Sequence, residues 1–227
     1  MTDPNNNPQL KALAKELLPL TGIFGLYKIP KKGKDITQLD CFPNPPYKDN
    51  TVLFKIRCKE LREYWVKINP TQKTIKNSLI IGHDDYKGAY LSIFNSQVKY
   101  AKLNGYKEIY LDAWYQDDPF EYEVDGKVVA LVDWNGHEIW GKYGFVMSDE
   151  ERKDLFVPHM ESYKKTEDFI HEIHLESESA NDAKQIWAGL KLHWEGVFDL
   201  KDNSLSHQLL QGLNGKYAKY PKYAKTL

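Results

Sequence analysis

The chain has 227 residues, 41% hydrophobic and 28% charged, so it can bury a sizeable core and is not disordered throughout. A net charge of −1 and a pI near 6.7 leave no general basic field to hold nucleic acid or an anionic membrane. Its two cysteines, Cys41 and Cys58, cannot build a disulfide scaffold and lack zinc-type pairing, so they are expected to be reduced thiols of a cytosolic protein.

Taken in chain order, residues 1–8 are polar, with two prolines, and are expected to be loose. The N-terminus lacks the apolar core of a signal peptide, and no stretch approaches the roughly 20 apolar residues of a membrane helix. A cytoplasmic, non-membrane protein is expected. PQLKALAKELLPL sets Leu10, Leu13, Leu17 and Leu18 at helical spacing, with Pro8 to open the helix and Pro19 to close it. GIFGLYKIP reads as a strand. PKKGKDITQLDCFPNPPYKDN is rich in turn residues and reads as a surface loop. TVLFKIRC predicts a strand with Val52, Phe54 and Ile56 on one face. KELREYWVKI begins like a helix and ends like a strand.

SLIIG is a short apolar run that fits a buried strand. A polar turn with Gly88 follows, and then AYLSIFNSQVKYAKLNG. This segment predicts a helix with an apolar stripe of Leu91, Phe94, Val98, Ala101 and Leu103, stopped by Gly105. EIYLDAWY is the next strand. Strand, glycine turn, helix and strand make a βαβ unit, which favours parallel pairing. FEYEVDGKVVALVDW predicts a hairpin with Asp125-Gly126 at its turn. NGHEIWGKYGFVM predicts a short helix, a glycine and the start of a strand.

From Ser148 the character changes. SDEERKDLF, KTEDFIHEIH, NDAKQIWAGLKLHWEG and SLSHQLLQGLNGKY all read as helical, and the tail AKYPKYAKTL is basic and tyrosine-rich. His171 and His174 share a helix face, with His159, Glu172, His193 and His207 as further ligand types, but no specific metal pattern is present and no metal is expected. Tyrosine and lysine interleave in the tail, a pattern that can stack on nucleic acid but more often marks a docking end. The neutral total charge argues against nucleic acid.

Residues 50–147 resemble the GCN5-related N-acetyltransferase superfamily. Members have a strand whose splayed end opens into a turn of pattern Arg/Gln-x-x-Gly-x-Gly/Ala, followed by a helix. Backbone N–H groups there hold the pyrophosphate of acetyl-CoA, as helix N-termini hold anions generally. The matching residues are Asp85, Gly88 and Tyr90, with Leu91 and Ser92 beginning the helix and Lys87 just before the glycine. Asp85 stands where the family has Arg or Gln, and Tyr90 where it has Gly or Ala. Further on, DWNGHEIWGKYGF is similar to the family's Asn-x-x-Ala-x-x-x-Tyr-x-x-x-Gly-Phe, aligning Asp133, Gly136, Trp140 and Gly144-Phe145. In many members the Tyr protonates the departing thiolate. Trp140 has no proton suited to that step.

Around the core the residues predict a short N-terminal tail and helix (1–19) and a helical C-terminal extension (148–227), which has no counterpart in the family core and is expected to pack on it, burying Trp187, Leu190 and Trp194; for the core itself (20–147) the resemblance implies a mixed α/β, acyltransferase-like fold. It implies acetyl-CoA as co-substrate, held by Lys87, Gly88, Ala89, Tyr90, Leu91 and Ser92. A carboxylate would take the amine proton, with Asp112 and Glu138 as candidates. Tyr143, one helical turn from Trp140, is the third catalytic candidate, although it aligns with a usually apolar position. The acceptor would be a small-molecule or peptide amine, and a homo-oligomer is compatible. Two readings stay open: an acyl-CoA-dependent N-acyltransferase, or a catalytically inactive module of the same fold that binds or builds. WEGVFDL and SLSHQLL resemble acetyltransferase-like segments of phage structural proteins and large multi-domain proteins.

Overall fold

A computed structural model describes residues 8–27, 35–43, 50–82, 86, 88–113, 115–116, 120–124, 127–131, 134–135, 140–141, 143–148 and 193–217. The chain divides into two compact units. One comprises Met1–Tyr110, Asp199–Asp202 and Asn214–Leu227, and the other Leu111–Phe198 and Asn203–Leu213.

The fold is mixed α/β. A seven-stranded sheet has the order β1-β2-β3-β4-β5-β11-β10. Its members are β1 (Ile36–Pro43), β2 (Val52–Cys58), β3 (Leu61–Asn69), β4 (Thr74–Gly82), β5 (Glu108–Ala113), β10 (Val146–Met147) and β11 (Trp194–Asp199). Strands β1 to β4 pair antiparallel in succession, as do β10 and β11. Two small antiparallel pairs stand outside this sheet: β6 (Tyr115–Gln116) with β9 (Trp134–Asn135), and β7 (Phe120–Val124) with β8 (Lys127–Leu131). The second pair is the expected hairpin. Its turn, Asp125-Gly126, lies outside the described residues.

In the first unit, α1 (Pro8–Leu17) runs into two 3₁₀ turns, Leu18–Thr21 and Ile23–Gly25. The α-helical stretch stops two residues short of Pro19, whose ring cannot continue it. Strand β2 alternates strictly, burying Val52, Phe54, Ile56 and Cys58. Strand β3 buries Leu61, Tyr64, Val66 and Ile68. Helix α2 (Ala89–Leu103) joins the neighbouring strands β4 and β5, giving the βαβ unit that the pattern predicts. Leu91, Phe94, Val98 and Ala101 are buried as expected. Gly105 has φ +73°, the left-handed conformation that ends helices.

Four expectations need correction. Residues 22–27, the described part of GIFGLYKIP, are not a strand: Ile23–Gly25 is a 3₁₀ turn, because Gly22 and Gly25 are used for close approach to α2. The turn-rich 30–50 segment contains strand β1, in which ITQLDCFP pairs along the whole of β2; the flanking prolines and glycines hid the β-forming run. KELREYWVKI has no helical start, since Leu61 onward is strand, paired on both sides, and those ladders override the propensity of its first residues. Leu103 is 72% exposed. It lies 12 positions after Leu91, about 120° round the helix from it.

Residues 194–199 are strand β11, where the helical reading of NDAKQIWAGLKLHWEG ran on to Gly196. Trp194, Gly196 and Phe198 point inward while Glu195, Val197 and Asp199 do not, a period of two. A Cβ on Gly196 would press on Trp194, Phe145 and Leu111, so only glycine fits that register. The C-terminal helix α3 (Leu205–Tyr217) matches the helical reading of SLSHQLLQGLNGKY. The helices expected in 148–192, with Trp187, Leu190, His159, His171, Glu172 and His174, lie outside the described residues, as does the tail AKYPKYAKTL. Among the described residues no helix is long and apolar enough to cross a membrane.

Candidate functional site

Strand β4 ends at exposed Gly82, and the chain turns into α2 through Gly88. Gly88 has φ 87° and ψ −6°, a conformation that costs an L-residue roughly 1 kcal/mol or more. It occupies the N-cap position; among the described residues no side chain caps this helix end, and the helix's first turn holds no acidic residue. Among the first amides, Ala89 N–H donates to the Tyr86 carbonyl (3.1 Å) and Ser92 N–H to the Gly88 carbonyl (3.2 Å). Ala89, Leu91 and Ser92 are buried, so their side chains serve the core and only their backbone can serve a ligand. Tyr90 is half-buried, its ring stacked on Phe94 at 6.0 Å. Lys87, Asp84 and Asp85 lie outside the described residues.

The start of α2 is held from behind. A Cβ on Gly25 would collide with the Ser92 carbonyl, and one on Gly22 with the Ile93 carbonyl. One turn further on, Gln97 is fully buried. Its Oε1 accepts from Asn77 Nδ2 (2.8 Å), and its Nε2 faces Asn77 Oδ1 (3.0 Å), the Tyr64 hydroxyl (3.1 Å) and the Leu20 carbonyl (3.2 Å). Tyr64 in turn donates to the Thr21 carbonyl (2.7 Å). Sequence reading passed over Tyr64, Asn77 and Gln97 and gave Gly22 and Gly25 no role. The available signals were the paired glycines of GIFG and two amides, Asn77 and Gln97, set among apolar neighbours.

The β2–β3 hairpin tip lies at the same end of the sheet, since Leu61 is in register with Gly82. There the Tyr27 hydroxyl donates to Glu60, which is 8% exposed. Burial first, and the Glu60 hydrogen bond second, hold the Tyr27 phenol well above its ordinary range. Burial also pushes the Cys58 thiol up, which keeps it protonated and a poor nucleophile. Lys59 Nζ lies 5.7 Å from the centre of the Tyr86 ring. Nearby on the sheet, Glu63 is 4% exposed, paired with Arg57 and accepting from Trp65 Nε1 (2.9 Å).

The catalytic candidates belong to the second unit. Asp112 is half-buried on β5, on the strand face opposite buried Leu111 and Ala113. Tyr143 is half-buried; its N–H donates to the Trp140 carbonyl (3.0 Å), and the two rings lie 5.9 Å apart. Trp140 also meets Phe145 edge-on at 5.9 Å, and Phe145 meets Phe198 at 5.8 Å. Gly144, at φ +91°, lets this turn approach the Ser206 carbonyl of α3, where any Cβ would clash. Glu138 lies outside the described residues. Among the described residues no group of three or more His, Cys, Asp or Glu side chains could hold a metal ion.

Compared with known proteins, the chain matches no family model and no curated sequence. The geometry itself offers backbone N–H groups at the positive end of a 15-residue helix that has, among the described residues, no side-chain cap and no acidic residue in its first turn.

Proposed function

We propose that the chain is an acyl-CoA-dependent N-acyltransferase whose donor is held at the start of α2. The observation that carries this reading is the helix entry itself: a left-handed glycine and, among the described residues, no side-chain cap and no first-turn acid, at the end of a strand in a βαβ unit. Helices normally satisfy their first amides with Ser, Thr, Asp or Asn. A helix that omits the cap is suited to an anion, and the diphosphate of a CoA-type donor has the required charge. Acetyl-CoA would supply an activated thioester when bound. The chain's own part is to hold the phosphates with the amides following Gly88, to accept the amine proton at a carboxylate, and to keep the acyl group from water.

Asp112 is the described carboxylate proposed for the base. For the acid, Trp140 has no usable proton and is committed to ring packing with Phe145 and Tyr143. That packing favours a second reading, in which the same fold binds a CoA-like ligand or a partner without catalysis.

Titration calorimetry with CoA and acetyl-CoA tests the donor site. Micromolar binding supports it; no heat at millimolar ligand removes it. Gly88→Asp is expected to abolish binding, since it sets a carboxylate against the anion and forces a side chain into a left-handed position. Equal affinity in the folded variant and its parent would refute the assignment. If CoA binds, a screen of small amines and peptides for release of free thiol separates enzyme from binding module.

A further inference from the structure

An apolar stripe alone does not set the height of a helix over a sheet. Burial is non-directional, and hydrophobic contacts re-form after a slip of a fraction of a turn. Hydrogen bonds do not: their strength falls away within a few tenths of an ångström of the optimum. Helix α2 has both kinds of contact, and the directional ones lie at chosen places. Ser92 and Ile93 abut Gly25 and Gly22, and Gln97 closes a reciprocal amide pair with Asn77. At 1.5 Å per residue these points lie roughly 6, 7 and 13 Å along the axis from Gly88.

The partners of Gln97 come from three elements: Asn77 on β4, Tyr64 on β3 and the Leu20 carbonyl of the first 3₁₀ turn. Asn77 matters most, because β4 is the limb that enters the glycine turn and α2 is the limb that leaves it. The amide pair therefore ties the two limbs of the turn directly to each other. Two apolar side chains would fill the same space without the cost of burying amides. A buried polar network that is fully satisfied selects one arrangement instead.

We propose that Gln97, Asn77, Gly22 and Gly25 are positioning residues for the donor turn. They set the height of the first α2 amides against the end of β4, and affinity for a CoA-type donor depends on them. This inference rests on the donor-site reading given above.

The test is CoA affinity by calorimetry, at a temperature where circular dichroism shows each variant folded. Gln97→Met keeps the side-chain length and removes every hydrogen bond; Gly25→Ala pushes on the Ser92 carbonyl. Both are expected to weaken CoA binding roughly tenfold or more, as small misplacements of binding groups do. Asn95→Ala is the control: it removes a different amide pair of the same helix and is expected to leave affinity unchanged. Should Gln97→Met not fold, Tyr64→Phe takes its place in the test, removing the hydroxyl that faces Gln97 Nε2, Asn77 Oδ1 and the Thr21 carbonyl. Parental affinity in the folded Gln97→Met or Tyr64→Phe variant and in Gly25→Ala would overturn the positioning role and leave the donor site standing. An equal loss in Asn95→Ala would also overturn it, by making the effect generic. No CoA binding by the parent would overturn both.

Discussion

Helix α2 carries two amide pairs of identical chemistry in different surroundings. Gln97 and Asn77 exchange bonds of 2.8 and 3.0 Å, with both side chains at 2% exposure or less. Two residues earlier on the helix, Asn95 and its partner Asn214 of α3 exchange bonds of 2.6 and 2.9 Å and are only half-buried. In the buried pair, a lost partner leaves an amide that water cannot reach. In the half-buried pair, water can take the vacated place. The same two hydrogen bonds are thus structural necessity at one site and modest fastening at the other.

Gln97→Leu should have the largest effect. It strips partners from Asn77, Tyr64 and the Leu20 carbonyl together, and a loss of about 3 kcal/mol is expected from the cost of buried unsatisfied groups. Urea denaturation measures it; a loss as small as that of an exposed site would break the contrast. Replacing both members, Asn77→Leu with Gln97→Leu, should recover part of that stability, because apolar groups in both places leave fewer orphans. A double mutant as unstable as the sum of the singles would place the cost in packing, not in polar pairing.

Gly25→Ala comes next, at roughly 1–3 kcal/mol for overpacking against the Ser92 carbonyl, measured by thermal unfolding. Asn95→Ala should cost about 0.5–1 kcal/mol, the net worth of a hydrogen bond that solvent can replace.

The smallest effect concerns a phenol. Tyr106 is 4% exposed, and its hydroxyl has no hydrogen-bond partner among the described residues. Burial first and the charge of Glu16 second raise its pKa from 10.0 to about 12. The folded state therefore holds this proton more tightly than the unfolded chain. That stabilisation is fully present below about pH 10 and is lost as pH rises toward 12. Tyr106→Phe should flatten the fall of stability across that window and be neutral or slightly stabilising at pH 7. An unaltered slope would show that Tyr106 does not carry it. Neither amide pair titrates, so the gap between Gln97→Leu and Asn95→Ala should be constant from pH 6 to 9.

Local periodicity made much of the fold legible. The alternation of β2, the stripe of α2 from Leu91 to Ala101, the hairpin at 120–131 and the αL stop at Gly105 are each written in neighbouring residues. Gly88 was legible for the same reason, since a turn into a helix with no cap residue calls for glycine. The burial of Ala89 and Ser92 beside the expected stripe was not, because it depends on where the sheet lies.

By itself, then, the sequence determined which segments could alternate or wind and where a glycine had to stand, because those properties involve only residues a few positions apart. Tertiary structure decided the rest. Strand β1 exists because β2 offers it a ladder. Residues 194–199 are strand because Trp194 and Phe198 are buried on one face and Gly196 leaves them room. Gln97 matters because Asn77, 20 positions earlier, meets it inside the core. Pairings between distant segments depend on loop closure and on three-dimensional fit, and neither leaves a period in the chain.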